Sequence, residues 1–317
     1  MQTNANCLFE CGTTIQHVVH HARKSLVCIV PEESPLKTNA PISFCYYFYS
    51  EESGFFLVEP HAFIAEVYRR MALRHAAEHH RPDWAEMQKN ALVLQSADHY
   101  QPHLPSDRDA RIIDIGFGDG WFLAACLRLG YRNLSGADFN IQHKSNIRDW
   151  APGCITLHLI ENDIGGFLAD KAESYDFIHM SHVIEHIPKH SLFWIVDALY
   201  RALKPGGKLL LRTPNMEGPC ANSSLYVTLS HEYGFAGSNL MSILDISGFD
   251  DVRFLKFRDR APTLKQRLGN ALRWPFIKKS EFRNRLFGVN YGGQFGSELI
   301  VIAKRGAWPP YFDERYR

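Results

Sequence analysis

No run of about eighteen uninterrupted apolar residues occurs in the 317-residue sequence, so no segment has the length and polarity of a membrane-spanning helix. An excess of one charge is also missing. Lys and Arg total 35 against 34 Asp and Glu, a formal net charge of +1, whereas a general nucleic-acid binder is strongly basic. The seven cysteines, an odd number, show no regular framework, which argues against a disulfide scaffold and leads to the expectation of free thiols in a reducing compartment. Internal repeats and low-complexity tracts are absent, so a solenoid or linker array is not expected. The opening MQTNANCLFECGTT lacks a charged and then apolar signal pattern, and the expected location is cytoplasmic. What remains is ordinary: 45% hydrophobic residues, enough for one large domain with appendages.

The most informative stretch is RIIDIGFGDG, residues 111 to 120. Ile112, Ile113 and Ile115 read as a buried parallel strand, and Gly116, Gly118 and Gly120 allow a sharp turn with close approach of backbone to a ligand. Trp121 to Leu129 then reads as a helix, completing the opening of a Rossmann-like unit. A dinucleotide fingerprint would place glycine at position 121, where Trp121 stands. Asp114 and Asp119 flank the loop, where they would repel a pyrophosphate but suit a ligand carrying a sulfonium and an ammonium, S-adenosylmethionine. Asp138 ends a second apolar segment and is placed to accept from ribose hydroxyls, with Phe139 beside it to pack on adenine.

Elements continue to alternate. A third strand, Thr156 to Ile160, leads to Asn162, Asp163 and Ile164, where a carboxylate can accept from an adenine amine. A fourth strand and turn occupy residues 174 to 188, and residues 199 to 215 supply a helix, a Pro-Gly-Gly turn and a fifth strand. With His182 to Ile187 standing as HVIEHI and Leu203 to Gly207 as LKPGG, the chain resembles class I S-adenosylmethionine-dependent methyltransferases. The resemblance covers roughly residues 106 to 256. It implies a seven-stranded Rossmann-like α/β/α sandwich whose cofactor residues include Asp114, Gly116, Phe117, Gly118, Gly120, Asp138, Phe139, Asp163, Ile164 and Ser181. S-adenosylhomocysteine is the implied product. Residues 224 to 249 resemble more narrowly the methyltransferases of polysaccharide and surface-glycan assembly, through His231, Glu232, Phe235 and Gly248-Phe249; Thr228 and Ser230 depart from that pattern.

Around the core, residues 1 to 60 read as a small β-containing lead-in and residues 61 to 317 as the methyltransferase domain. Within that domain the core spans 106 to 257, with a sixth strand near Val252 to Phe257, and the last strand spans 298 to 304. Residues 60 to 80 read as a helix whose Arg69 or Arg70 could meet the cofactor's carboxylate, a solvated helix face being the plainer explanation. Residues 258 to 297 form an insertion between the last two strands. From Arg253 to Arg285 eleven cations face only Asp259 and Glu281, with Leu264, Leu268, Leu272, Phe276 and Ile277 near helical spacing until Pro275 interrupts. Such a basic amphipathic segment suits an anionic acceptor or peripheral contact with an anionic membrane through residues 258 to 285, and suits a merely solvated face equally well.

The literal HxxEH at residues 182 to 186 also occurs in zinc peptidases, but those carry both histidines on a long helix, whereas Pro188 follows here at once. Cys7, Cys11, Cys28 and Cys45 have poor spacing for zinc, and no metal is expected. Pro219-Cys220 falls after the wrong strand for cytosine methylation, and the loop of amino-group DNA methyltransferases is missing, so no nucleic-acid partner is expected. A sugar hydroxyl needs its proton taken, which makes His231 the first candidate base and His182 the second, with Glu185 and His186 as capping or orienting residues. The leading reading is an O-methyltransferase acting on a sugar or glycan intermediate. A small-molecule O- or N-methyltransferase of secondary metabolism and a non-catalytic cofactor-binding scaffold remain as alternatives.

Overall fold

The computed structural model describes residues 82–139, 147–151, 153–161, 163–217, 231–256 and 297–307, together with residues 5–6, 14–15 and scattered positions between 268 and 282. Seven strands form one sheet: β1 (Arg111–Ile115), β2 (Asn133–Asp138), β3 (Ile155–Leu159), β4 (Tyr175–Ser181), β5 (Leu203–Pro214), β6 (Phe249–Phe254) and β7 (Glu298–Arg305). Their order is β3-β2-β1-β4-β5-β7-β6, with β7 antiparallel to both neighbours and the others parallel. The helices are α1 (Trp84–Met87), α2 (Ala91–Tyr100), α3 (Trp121–Arg128), α4 (Ile164–Leu168), α5 (Leu192–Ala202) and α6 (Gly237–Ile246). This is the expected seven-stranded Rossmann-like architecture. Outside it, Ala5–Asn6 pairs antiparallel with Thr14–Ile15.

Both faces of the sheet are covered, so its strands are apolar on both sides. Strand alternation sends Ile113 and Ile115 of β1 into one core with Ile178, Met180, Leu211 and Val301, closed by Ile195 of α5 and Leu240 of α6. Ile112 points the other way, joining Phe177 and Leu210 under Val93 of α2 and Phe122 of α3. Each fully buried Ile or Leu contributes about 1.5–3 kcal/mol relative to exposure. The cores therefore fix the register of β1, and with it the height at which the glycine loop leaves the sheet.

Three boundaries differ from the sequence reading. β3 starts one residue earlier, at Ile155. β6 begins at Phe249, directly after Gly248 ends the α6 region at φ 89°, because Phe249 is the side chain that enters the core. The Pro-Gly-Gly segment is not a turn ahead of β5 but lies inside it: Leu203 pairs with Tyr175 and Lys208 with Phe177, so the intervening residues bulge out. Gly206, at φ 75°, supplies the left-handed conformation this bulge needs. The expected helix at residues 60 to 80, with Arg69 and Arg70, lies outside the described residues, as do Asn162, Cys7, Cys11, Cys28, Cys45 and Cys220.

Candidate active site

The glycine loop follows β1 directly. Gly116 donates its N–H to Ala137 at 2.7 Å, and Gly118 donates to the Asp138 carboxylate at 3.1 Å, tying the loop to the end of β2. A Cβ at Gly116, where φ is 73°, would come within 2.2 Å of Val183, whereas one at Gly118 would meet nothing within 4 Å. The loop is thus pressed on one side against the turn after β4 and open at its crest. Gly120 turns at φ 76° into α3 and has no capping side chain. This cradle, with a carboxylate at the tip of the neighbouring strand and Phe139 about half exposed beside it, fits the ribose and adenine end of S-adenosylmethionine.

Other expected cofactor residues are placed differently. Asp114 is buried on the α3 side of β1, directly opposite His179 in the β1–β4 register, and bonds its Nδ1 at 2.6 Å. Burial raises the Asp114 pKa, opposed by His179. The carboxylate is engaged with this partner, a pairing that needs the register to be seen. Phe117 packs against Gly136 and Ile164 lies in the core, so neither side chain is presented to a ligand, and only their backbones remain to serve one. Asp163 caps α4, accepting from the Gly166 N–H at 2.8 Å. Trp121, the first residue of α3, is 39% exposed, while Phe122 beside it is buried and stacks on His179 with centroids 3.9 Å apart.

The second part of the site is the turn after β4. Ser181, half-buried, ends that strand, and His182 follows at φ 55°, an uncommon conformation for a residue with a Cβ. The turn is over-determined: the His182 N–H donates to Arg212, its Nδ1 meets Glu185 at 3.2 Å and its Nε2 meets Glu298 at 3.2 Å. Burial lowers the His182 pKa, but hydrogen bonds to the two carboxylates prevail and lift it to about 9. A ring held protonated at neutral pH argues against His182, the second candidate base, taking up a further proton. Neither Glu298 nor this clamp was foreseen. The only sequence hint was a carboxylate opening an otherwise apolar last strand.

His231 reaches the same turn from the other side. Residues 231 to 236 are held at the end of β5 by the Asn215–Phe235 bridge and by Met216 N–H donating to Phe235. The Glu232 N–H donates to the Glu185 carbonyl at 2.9 Å, and the His231 and His186 rings lie 4.8 Å apart. Glu185 itself is buried, its carboxylate receiving His182 Nδ1 and the Thr213 hydroxyl at 3.0 Å. Burial pushes its pKa up, yet His182 and His186 outweigh that and keep it lowered, so it is ionised. The structure therefore brings together Glu185, His186 and His231, beside a turn that touches the glycine loop through Val183.

A parallel sheet with one antiparallel strand inserted beside its last edge, a glycine loop after β1 and an acid at the tip of β2 define a class I S-adenosylmethionine-dependent methyltransferase. The chain belongs to a family described as "Methyltransferase domain", whose model matches residues 70–270. It is 27% identical over 169 residues to the ubiquinone biosynthesis O-methyltransferase of Psychrobacter arcticus, covering 50% of this chain and 59% of the relative. Over 169 residues it is also 27% identical to the tRNA U34 carboxymethyltransferase of Vibrio vulnificus, covering 50% of each. The chain thus spans little more than half the length of the curated relatives it matches. Among solved structures, a SAM-dependent methyltransferase from Archaeoglobus fulgidus superposes with a TM-score of 0.49 at 21% identity, covering 69% of this chain and 96% of the other.

Proposed function

We propose that the protein methylates a hydroxyl oxygen of a sugar or glycan intermediate, using S-adenosylmethionine. The observation that carries this reading is the convergence of His231 with Glu185 and His186 beside the turn that packs on the cofactor loop. When bound, the cofactor supplies a methyl group on a sulfonium, whose carbon–sulfur electron pair stays with sulfur in the thioether product. The chain's own residues then have two tasks. Gly116 to Gly120 and Asp138 hold the nucleoside end, and the cluster beyond β4 holds the acceptor and draws off its hydroxyl proton as the new oxygen–carbon bond forms. With His182 already protonated, His231 is the residue through which we assign that proton removal.

Oxygen as the accepting atom is supported by the Psychrobacter relative, which is by name an O-methyltransferase. The sugar rests on the likeness of residues 224 to 249 to glycan methyltransferases, and the near-zero net charge favours it over a tRNA acceptor. A specific observation also favours work at an anionic membrane surface. In the basic insertion Leu268, Leu272, Trp274, Phe276 and Phe282 are all more than half exposed.

The test is release of S-adenosylhomocysteine across nucleotide sugars, glycan fragments, phenols, amines and tRNA, with product mass recorded. Turnover on a sugar-bearing acceptor is expected. His231→Ala should cut it by about 100-fold or more while the cofactor dissociation constant stays put. Turnover confined to phenols, amines or tRNA would overturn the acceptor assignment.

A further inference from the structure

We infer that Glu185, His186 and His231 form a binding site for one divalent transition-metal ion, and that the acceptor is a vicinal diol that this ion grips through both oxygens. The inference rests on the methyl-transfer reading for its substrate, but the ion site stands on geometry alone. One donor atom from each of the three residues lies within 4.8 Å of the others. In a tetrahedral site with bonds of about 2.0–2.2 Å the donors sit roughly 3.3–3.6 Å apart, so closure needs about 1 Å of movement. His186 and His231 are half-buried and can supply that by side-chain rotation.

The surroundings are those of a prepared ligand set. Glu185 is 1% exposed, so an ion it held would be shielded from water on that side. Its two oxygens are oriented by His182 and by Thr213, yet a carboxylate has about four acceptor positions, which leaves lone pairs for an ion. Outer partners that fix a ligating carboxylate in this way are the usual companions of a metal centre. The backbone bond from Glu232 to Glu185 pins the two ligand-bearing segments to each other, so only side-chain adjustment is left for binding. Two imidazoles and one carboxylate select an ion such as Zn²⁺, Mn²⁺ or Co²⁺ over Ca²⁺ or Mg²⁺, and three protein ligands leave positions open for substrate.

Those open positions define the substrate class. A cation coordinating a hydroxyl lowers its pKa by several units, so the proton can leave to bulk water without a free imidazole to take it. Two adjacent oxygens fill two open positions and orient one of them toward the cofactor loop, which a lone alcohol does not achieve. On this account His231 promotes the proton removal assigned to it through the ion it holds, as a ligand and not as the base itself. Sugars with adjacent hydroxyls fit, and so do catechols, whereas simple amines and isolated alcohols do not.

The experiment uses the full chain, stripped with chelator and dialysed, then titrated with Co²⁺ and followed by its visible d–d absorption and by calorimetry. One ion per chain is expected, with His231→Ala and His186→Ala each weakening it by more than about tenfold and Thr213→Val by about tenfold through loss of carboxylate orientation. Because Glu185→Gln could compromise folding, the two histidine variants decide the matter, their folding checked by thermal unfolding. Failure of the native chain to bind, or equal binding by native chain and both variants, would refute the site. Methyl transfer persisting at full rate in excess chelator would also refute it while leaving the methyltransferase reading intact. Tight, histidine-dependent binding without any turnover would keep the site and sink the methyl-transfer reading instead. Vicinal-diol acceptors should show turnover restored by Co²⁺ or Mn²⁺, and equal restoration on mono-ols would overturn the chelation.

Discussion

Glu298 joins the turn after β4 to the last strand, and its ionisation should be visible in the stability of the whole protein. Burial raises its pKa, but hydrogen bonds from His182 and Arg212 outweigh that and draw it down to about 2, against an ordinary value of 4.5. A carboxyl depressed on folding contributes stability that is complete above its unfolded value and is lost as pH falls toward the folded one. The native chain is therefore expected to lose thermal stability as pH drops from about 4.5 to 2, and Glu298→Gln to be less stable at pH 7 with a shallower acid limb. Unfolding scans at stepped pH check both, and parallel acid limbs for the two proteins would remove Glu298 from the account. Such pairs were not legible in the sequence, because Arg212 and Glu298 are 86 positions apart and Asp114 meets His179 only through strand register. The placement of the glycine loop and of Asp138 was legible, since both stand at the ends of strongly apolar strands.

The insertion between β6 and β7, residues 258 to 297, combines nine cations with exposed large apolar side chains. Both features attract the same surface: charge draws the segment to anionic headgroups, and each apolar side chain adds up to about 1.5–3 kcal/mol on burial. The chain should co-sediment with phosphatidylserine-containing vesicles at low salt and much less with neutral ones. Leu272→Glu and Phe276→Glu should each weaken that binding by about tenfold. Equal recovery with neutral and anionic vesicles would exclude the electrostatic part, and no recovery with either would exclude membrane contact. The amphipathic pattern was readable from spacing. How far Leu272 and Phe276 protrude was not, because exposure depends on what packs against an element. The bulge inside β5 was hidden for the same reason: a Pro-Gly-Gly segment reads as a turn unless the partner strand is known to run alongside it.

For the molecule as a whole, the cofactor loop, the tip of β2 and the turn after β4 are tied together, so cofactor binding should stabilise the folded state globally. At a hundredfold excess over its dissociation constant, S-adenosylmethionine is expected to add about 2.7 kcal/mol. Asp138→Ala should weaken cofactor binding by about 1.5–3 kcal/mol and shrink the rise in melting temperature accordingly. A native-sized rise in the variant would show that the strand-tip carboxylate is not a cofactor contact.

The strand order carries one consequence for how the protein is made. β5 is complete at residue 214, but the strand that covers its far side, β7, begins at residue 298, and among the described residues β6 pairs with β7 alone. On the ribosome, β1 to β5 can assemble with their helices while β5 still presents an open edge, and β6 emerges before the strand it pairs with. Closure of the sheet waits for residues 298 to 305. Folding of the glycine loop half thus precedes completion of the clamp on His182, and a chain truncated before residue 298 would keep the cofactor cradle while exposing a strand edge inviting to other chains.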